Sequence, residues 1–172
     1  MKILALSGSL RENSSNAALL RAAERLVSAT WTRFDLATLP YFDPDLQYSE
    51  DIPETARRLR DLGAEANLIF IATPEYAHGV PGLLKNGLEW LFCDRTSRKP
   101  VAVVLGSAQG EWARDQLLEI LATMDFAVDA DSFHLVKGAR AKVDPRGTFT
   151  DADAEGDFAA YIERLVHRNR SE

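Results

Sequence analysis

Three apolar runs, Met1–Leu6, Asn67–Thr73 and Pro100–Gly106, set the tightest limit on how this chain folds. A strand that is apolar on both faces cannot lie on a wetted surface. Each run therefore predicts a strand of a parallel sheet covered by helices on both sides. Segments of helical period separate them. Ala17–Val27 carries Ala18, Leu19, Ala22, Ala23 and Leu26 at that spacing, with its start near Ser14–Asn16. Pro53–Glu65 is a charged helix with proline in its first turn, where a missing N–H costs nothing. Pro81–Phe92, Glu111–Met124 and Asp151–Arg168 read as three more helices.

Two weaker strands complete the pattern: Trp31–Leu36, with apolar residues at alternate positions, and a short one around Phe126–Leu135. Ala37–Asp51 and Lys137–Thr150 read as loops. Strands alternating with helices through right-handed crossovers make a doubly wound sheet. Five strands in this order suit a flavodoxin-like three-layer sandwich, strand order 2-1-3-4-5, formed by residues 1–172 as a single domain. Ligands of such sheets lie beyond the carboxyl ends of the strands where the winding reverses. That rule selects Ser7–Asn16, Thr73–Pro81 and Gly106–Glu111.

The first of these loops turns a buried strand into a helix through Ser7-Gly8-Ser9-Leu10-Arg11-Glu12-Asn13-Ser14-Ser15-Asn16. A helix start carries unpaired N–H groups and partial positive charge. Arg11 adds a guanidinium, and the hydroxyls and amides add donors, so the group reads as a phosphate site rather than as a plain helix cap. The chain lacks G-x-x-x-x-G-K-[ST], and Gly8 is not followed by the glycines of a dinucleotide fingerprint. A mononucleotide phosphate fits best. In the second loop Tyr76 offers a ring face or edge to a flat ligand, and N–H groups near Glu75–Ala77 suit its polar rim. In the third loop, small residues around Ser107 let a ligand approach the backbone.

Two stretches carry a family resemblance. G-S-L-R-E-N-S-S-N at Gly8–Asn16 and P-E-Y-A-H-G-V-P-G-L-L-K-N-G-L-E-W-L at Pro74–Leu91 resemble the signatures of the NADPH-dependent FMN reductases. That family is flavodoxin-like and includes quinone, chromate and azo-dye reductases. The resemblance implies that Ser9, Arg11, Ser14, Ser15 and Asn16 hold the FMN phosphate. It implies that Pro74, Glu75 and Tyr76 line the isoalloxazine ring, largely through backbone. Ala77 and Ser107 complete the cofactor-binding positions, with Ala77 standing where the family usually has Asn. Glu111 adds a carboxylate that bears on the choice between NADH and NADPH. The implied activity passes hydride from NAD(P)H through FMN to a quinone, free flavin or similar small acceptor by a ping-pong mechanism. A flavin-binding electron carrier or sensor is the alternative.

Other features bound the reading. A net charge of −6 over 172 residues argues against nucleic acid and acidic membranes as partners. The single cysteine, Cys93, excludes an internal disulfide and sits in an apolar run, which predicts a buried thiol. His78, His134 and His167 are too scattered for a metal site. The receiver domains that share this fold need acidic residues after the first strand and an aspartate after the third, and Ser7-Gly8-Ser9 and Thr73-Pro74-Glu75 occupy those places. With neither a signal peptide nor a membrane-length run, a cytoplasmic location is expected. The helix Pro81–Phe92 is apolar around more than one face, which predicts either burial within the domain or a subunit interface. The family resemblance implies a homodimer or homotetramer.

Overall fold

The computed structural model describes residues 1–170, and for Arg170 the backbone only. Its elements are β1 (Lys2–Ser7), α1 (Ser15–Leu26), β2 (Thr30–Phe34), α2 (Glu54–Glu65), β3 (Leu68–Thr73), α3 (Gly82–Leu91), β4 (Val101–Ser107), α4 (Glu111–Thr123), β5 (Phe133–Lys137), α5 (Ala139–Lys142) and α6 (Ala152–Arg170). The five strands form one sheet in the order β2-β1-β3-β4-β5, and every pairing is parallel. This is the flavodoxin-like arrangement that the alternation of elements predicts.

Strand alternation divides each apolar run between two cores. Ile3, Ala5, Phe70, Ala72, Ala102 and Val104 face α1 and α6, where Leu19, Phe158 and Tyr161 are buried. Leu4, Leu6, Ile69, Ile71, Val103 and Leu105 face α2, α3 and α4, where Leu59, Leu88, Trp90 and Leu117 are buried. All six residues of β3 are buried, as its unbroken sequence requires. Among the described residues no helix is long and apolar enough to cross a membrane.

Three local expectations need correction. β2 ends at Phe34, not Leu36, because Asp35 caps a 3-10 turn over Leu36–Thr38 by accepting from the Ala37 N–H at 3.0 Å. Leu36 then drops into the core against Gly87, where a Cβ would lie 2.6 Å from Leu36 Cδ2. The strand expected over Phe126–Leu135 begins only at Phe133. Ahead of it a 3-10 turn, Ala130–Ser132, is held by paired bonds between Asp129 and Ser132. The buried Tyr161 hydroxyl donates to Ser132 O at 2.7 Å, and burial pushes its pKa above its ordinary range. Finally, 137–150 is not all loop. It holds α5, and then a tight hairpin in which the Asp144 carboxylate accepts from the N–H groups of Arg146 and Thr148.

The apolar breadth of α3 has an internal cause. Leu84, Leu88, Trp90 and Leu91 are buried within this chain. The loop after β2 folds across the helix: Trp90 Nε1 and Asn86 Nδ2 donate to Pro40 O at 2.9 and 3.0 Å, and Phe42 meets the Trp90 ring edge-on at 5.0 Å. The second apolar face is thus covered by the chain's own loop. On the outer side Lys85 and Glu89 pair at 2.6 Å, as their spacing of four predicts.

Candidate functional site

The loops after β1, β3 and β4 meet at the carboxyl edge of the sheet. Gly8 permits the first of them. Its N–H donates to Ala72 O at 2.9 Å, and a Cβ there would stand 2.1 Å from Thr73 Oγ1. β1 and β3 therefore approach too closely for any side chain. Ser7 Oγ accepts from the Ser9 N–H and donates to Ser9 O, and Ser9 Oγ accepts from the Arg11 N–H. Ser14 is the N-cap of α1, its hydroxyl accepting from the Ala17 N–H at 3.1 Å. That hydroxyl keeps its own proton to donate. The N–H groups of Ser15 and Asn16, in the first helical turn, have no intrahelical acceptor. The exposed Arg11 guanidinium makes no hydrogen bond among the described residues.

The Asn16 side chain is engaged elsewhere. It is buried, its Oδ1 accepts from Gly106 N at 2.8 Å, and its Nδ2 donates to Gly106 O at 3.1 Å. Both ends of the amide are spent in joining α1 to β4. Of the phosphate-binding role expected for Asn16, only the backbone N–H remains.

In the second loop Pro74 is buried and the Glu75 side chain is 7% exposed. Glu75 Oε2 accepts from the Ala113 N–H at 2.9 Å. α4 begins at Gly110, which offers no side-chain cap, so Glu75 supplies the carboxylate that a helix start favours. This bond ties the second loop to the third. The N–H groups of Glu75 and Ala77 have no acceptor among the described residues and remain to meet a ligand.

Tyr76 and Gly79 exchange both backbone bonds at 3.0 and 3.1 Å, with Ala77 at φ +49° and His78 at φ +57°. Positive φ at both central positions is the type I′ hairpin turn, which favours Asn and Gly. The asparagine that the resemblance implies here would suit this backbone geometry. Left-handed alanine costs about 1–2 kcal/mol, and asparagine bears that conformation better. Ala77→Asn is expected to raise stability by about 0.5–1 kcal/mol, read as an increase of roughly 1–4 °C in Tm. A lowered Tm would show that the turn does not demand this geometry.

The third loop departs from the sequence reading in two respects. Gly110, one of the small residues expected to let a ligand approach the backbone, is buried at φ +98°, and a Cβ would lie 2.4 Å from Leu135 Cδ1, so it packs against β5. Glu111 pairs with Lys137 at the end of β5, and that contact holds its carboxyl below the usual range. Its charge is already answered within the chain. Ser107 is half-buried, with its carbonyl accepting from the Gly138 N–H. Trp112 is 63% exposed and meets His78 edge-on at 6.2 Å, and Tyr76, two residues before His78 in the chain, is exposed as well. Sequence reasoning passed over Trp112; its neighbours at helical spacing, Asp115, Gln116 and Glu119, are polar, and that place on the polar face of the helix was the available signal.

The residues expected to bind cofactor fall on two sides of the first loop. Ser9 and Arg11 line a cleft of about 810 Å³ that opens toward β2, whereas Pro74, Glu75, Tyr76, Ala77 and Ser107 are absent from its lining. The model of the NADPH-dependent FMN reductases matches residues 1–139. The chain belongs to that family.

Its relatives agree. A 2-hydroxy-1,4-benzoquinone reductase of a Burkholderia species is 28% identical over 180 residues, covering 96% of this chain and 94% of that protein. A quinone reductase of Escherichia coli K12 is 32% identical over 136 residues, 72% of each chain. Among solved structures, the NAD(P)H:(acceptor) oxidoreductase FerB of Paracoccus denitrificans superposes with a TM-score of 0.85 at 23% identity, covering 99% of this chain and 97% of that one.

As a member of the NADPH-dependent FMN reductases, the protein is an oxidoreductase that uses FMN and NAD(P)H. The residues fit that cofactor. A dianionic phosphate needs several donors and a cation, which the unpartnered Arg11, the hydroxyls of Ser9 and Ser14 and the first turn of α1 together offer. Within the described residues no group of His, Cys, Asp and Glu is placed to hold a metal ion.

Proposed function

We propose that the protein passes hydride from NAD(P)H through FMN to a quinone, free flavin or another flat small acceptor, by a ping-pong mechanism. The observation that carries this is the meeting of the three loops. An unpartnered guanidinium and a helix start stand on one side, and free N–H groups beside exposed aromatic rings stand on the other. FMN, when bound, supplies the two-electron chemistry. Ser9, Arg11, Ser14, Ser15 and the Asn16 N–H hold its phosphate. Pro74, Glu75, Tyr76 and Ala77 line the ring through backbone, and Ser107 borders it from the third loop.

The Glu75 carboxylate acts on position rather than on chemistry. By fastening the second loop to α4 it keeps the donor N–H groups from shifting, and preorganised donors are worth more than mobile ones. Tyr76, His78 and Trp112 give the mouth an apolar, aromatic lip against which a planar acceptor loses its water. One mouth serves both the nicotinamide and the acceptor, so the first product leaves before the second substrate enters.

Protein purified without added cofactor is expected to show flavin absorption, and NADH or NADPH added without oxygen is expected to bleach it. Initial rates with varied nicotinamide and quinone should give parallel double-reciprocal lines. Intersecting lines would defeat the ping-pong order. Flavin that neither nicotinamide reduces would leave the carrier reading.

Residues 1–172 act as a single domain in this reading, and the use of reduced nicotinamide suits a cytoplasmic setting. A homodimer or homotetramer draws its support from the exposed Leu10, Tyr41, Tyr76 and Trp112 and not from α3. Light scattering on a sizing column at micromolar concentration tests it.

A further inference from the structure

The 810 Å³ cleft on the β2 side of the first loop is the largest cavity described, and of its lining the flavin reading uses only Ser9 and Arg11. Four arginines line it: Arg11 from the first loop, Arg21 from α1, Arg33 from β2 and Arg146 from the hairpin before α6. They gather on a protein whose net charge is −6, so chance basicity does not account for them. Glu12 and Asp35 share the lining, and Asp35 already accepts from the Ala37 N–H.

The arginines differ in what they have left to offer. Arg33 is held by both oxygens of Glu24, and Arg146 lies 3.4 Å from Asp144, two carboxylates that stand outside the cleft and aim their partners. Arg21 donates to the carbonyls of Pro145 and Glu12, contacts that fix its guanidinium without cancelling its charge. Arg11 has no side-chain partner among the described residues, and the Arg146 side chain is 89% exposed. Arg21 and Arg33 are held in place while Arg11 and Arg146 are free to turn, and guanidinium forks around an open cleft suit a phosphate. Phe34, Leu36 and Leu83 supply an apolar patch on the β2 side of the kind a purine ring covers.

The geometry points to this cleft as the seat of the 2′-phosphoadenosine end of NADPH, with Arg146 and Arg21 as the residues that prefer NADPH to NADH. The inference rests on the proposed flavin site. Ser9 and Arg11 stand on the wall between the two, so a dinucleotide with its nicotinamide end at the flavin mouth crosses the first loop to reach the arginines.

Calorimetric titration of the protein as purified with 2′,5′-ADP, 5′-AMP and inorganic phosphate tests it without turnover. The bisphosphate is expected to bind at least tenfold more tightly than 5′-AMP, and Arg146→Ala to remove most of that difference. In steady state Arg146→Ala is expected to raise KM for NADPH about tenfold, with kcat and the KM for NADH unchanged and flavin absorbance retained. Equal binding of the two nucleotides would overturn the proposal. So would an Arg146→Ala protein that still favours the bisphosphate, or a site that inorganic phosphate fills as well as the nucleotide does. Flavin content and anaerobic bleaching report on the proposed function separately, because the titration reads the cleft whether or not flavin is bound.

Discussion

Asn16→Ala is expected to destabilise the protein by about 2–4 kcal/mol, although the residue lies in the loop that the sequence marks as a ligand site. The substitution removes both bonds to Gly106 and leaves a backbone N–H and a carbonyl buried without partners. Each such group costs about 1–3 kcal/mol. In a protein of this size that lowers Tm by roughly 5–15 °C. Asn16→Asp keeps an acceptor for the Gly106 N–H but loses the donor and buries a charge, so it is expected to be no better. Thermal and urea unfolding of the flavin-free protein read the effect directly. A loss below about 0.5 kcal/mol, the range of an ordinary surface change, would mean that the amide does not lock α1 to β4.

Arg11→Ala reverses that profile. The guanidinium is exposed and has no partner within the described chain, so the stability of the flavin-free protein is expected to stay within about 0.5 kcal/mol of the wild type. Affinity for FMN should fall by about 1.5–3 kcal/mol, the worth of a charge-assisted hydrogen bond, which raises Kd roughly tenfold to 150-fold. Arg11→Lys should recover part of the loss, because it restores the charge without the fork. Quenching of flavin fluorescence on titration into the flavin-free variant measures it. Wild-type affinity in Arg11→Ala would remove Arg11 from the phosphate site. Set side by side, the two variants separate a residue that builds the site from one that would touch its occupant.

The pattern that made these sites legible is local. An apolar run, a small-residue turn and a helix start follow one another within sixteen residues, and their chemistry does not depend on what packs against them. The central strands, the helix starts and the position of the three loops could therefore be read from the chain. β5 could not. Phe126–Leu135 looks continuous, but Asp129 and Ser132 close a turn inside it, and side-chain bonds of that kind compete with strand backbone wherever they find a partner. α3 showed the same limit, because only the fold reveals that the loop carrying Pro40 and Phe42 lies across its second apolar face.

By itself, the sequence determined the doubly wound sheet, its strand order and the edge to which we assign a phosphate-bearing ligand, because hydrophobic period and helix-start chemistry act over a few residues. The tertiary structure alone decided what each polar side chain does there. Asn16 is drawn from the phosphate to Gly106, Glu75 is drawn to the start of α4, and Glu111 is answered by Lys137. In each pair the partners are far apart in the chain, and their bond exists only because β1, β3, β4 and β5 lie side by side. The cleft of four arginines has the same origin, since Arg11, Arg21, Arg33 and Arg146 come from four separate segments that only the folded sheet brings together.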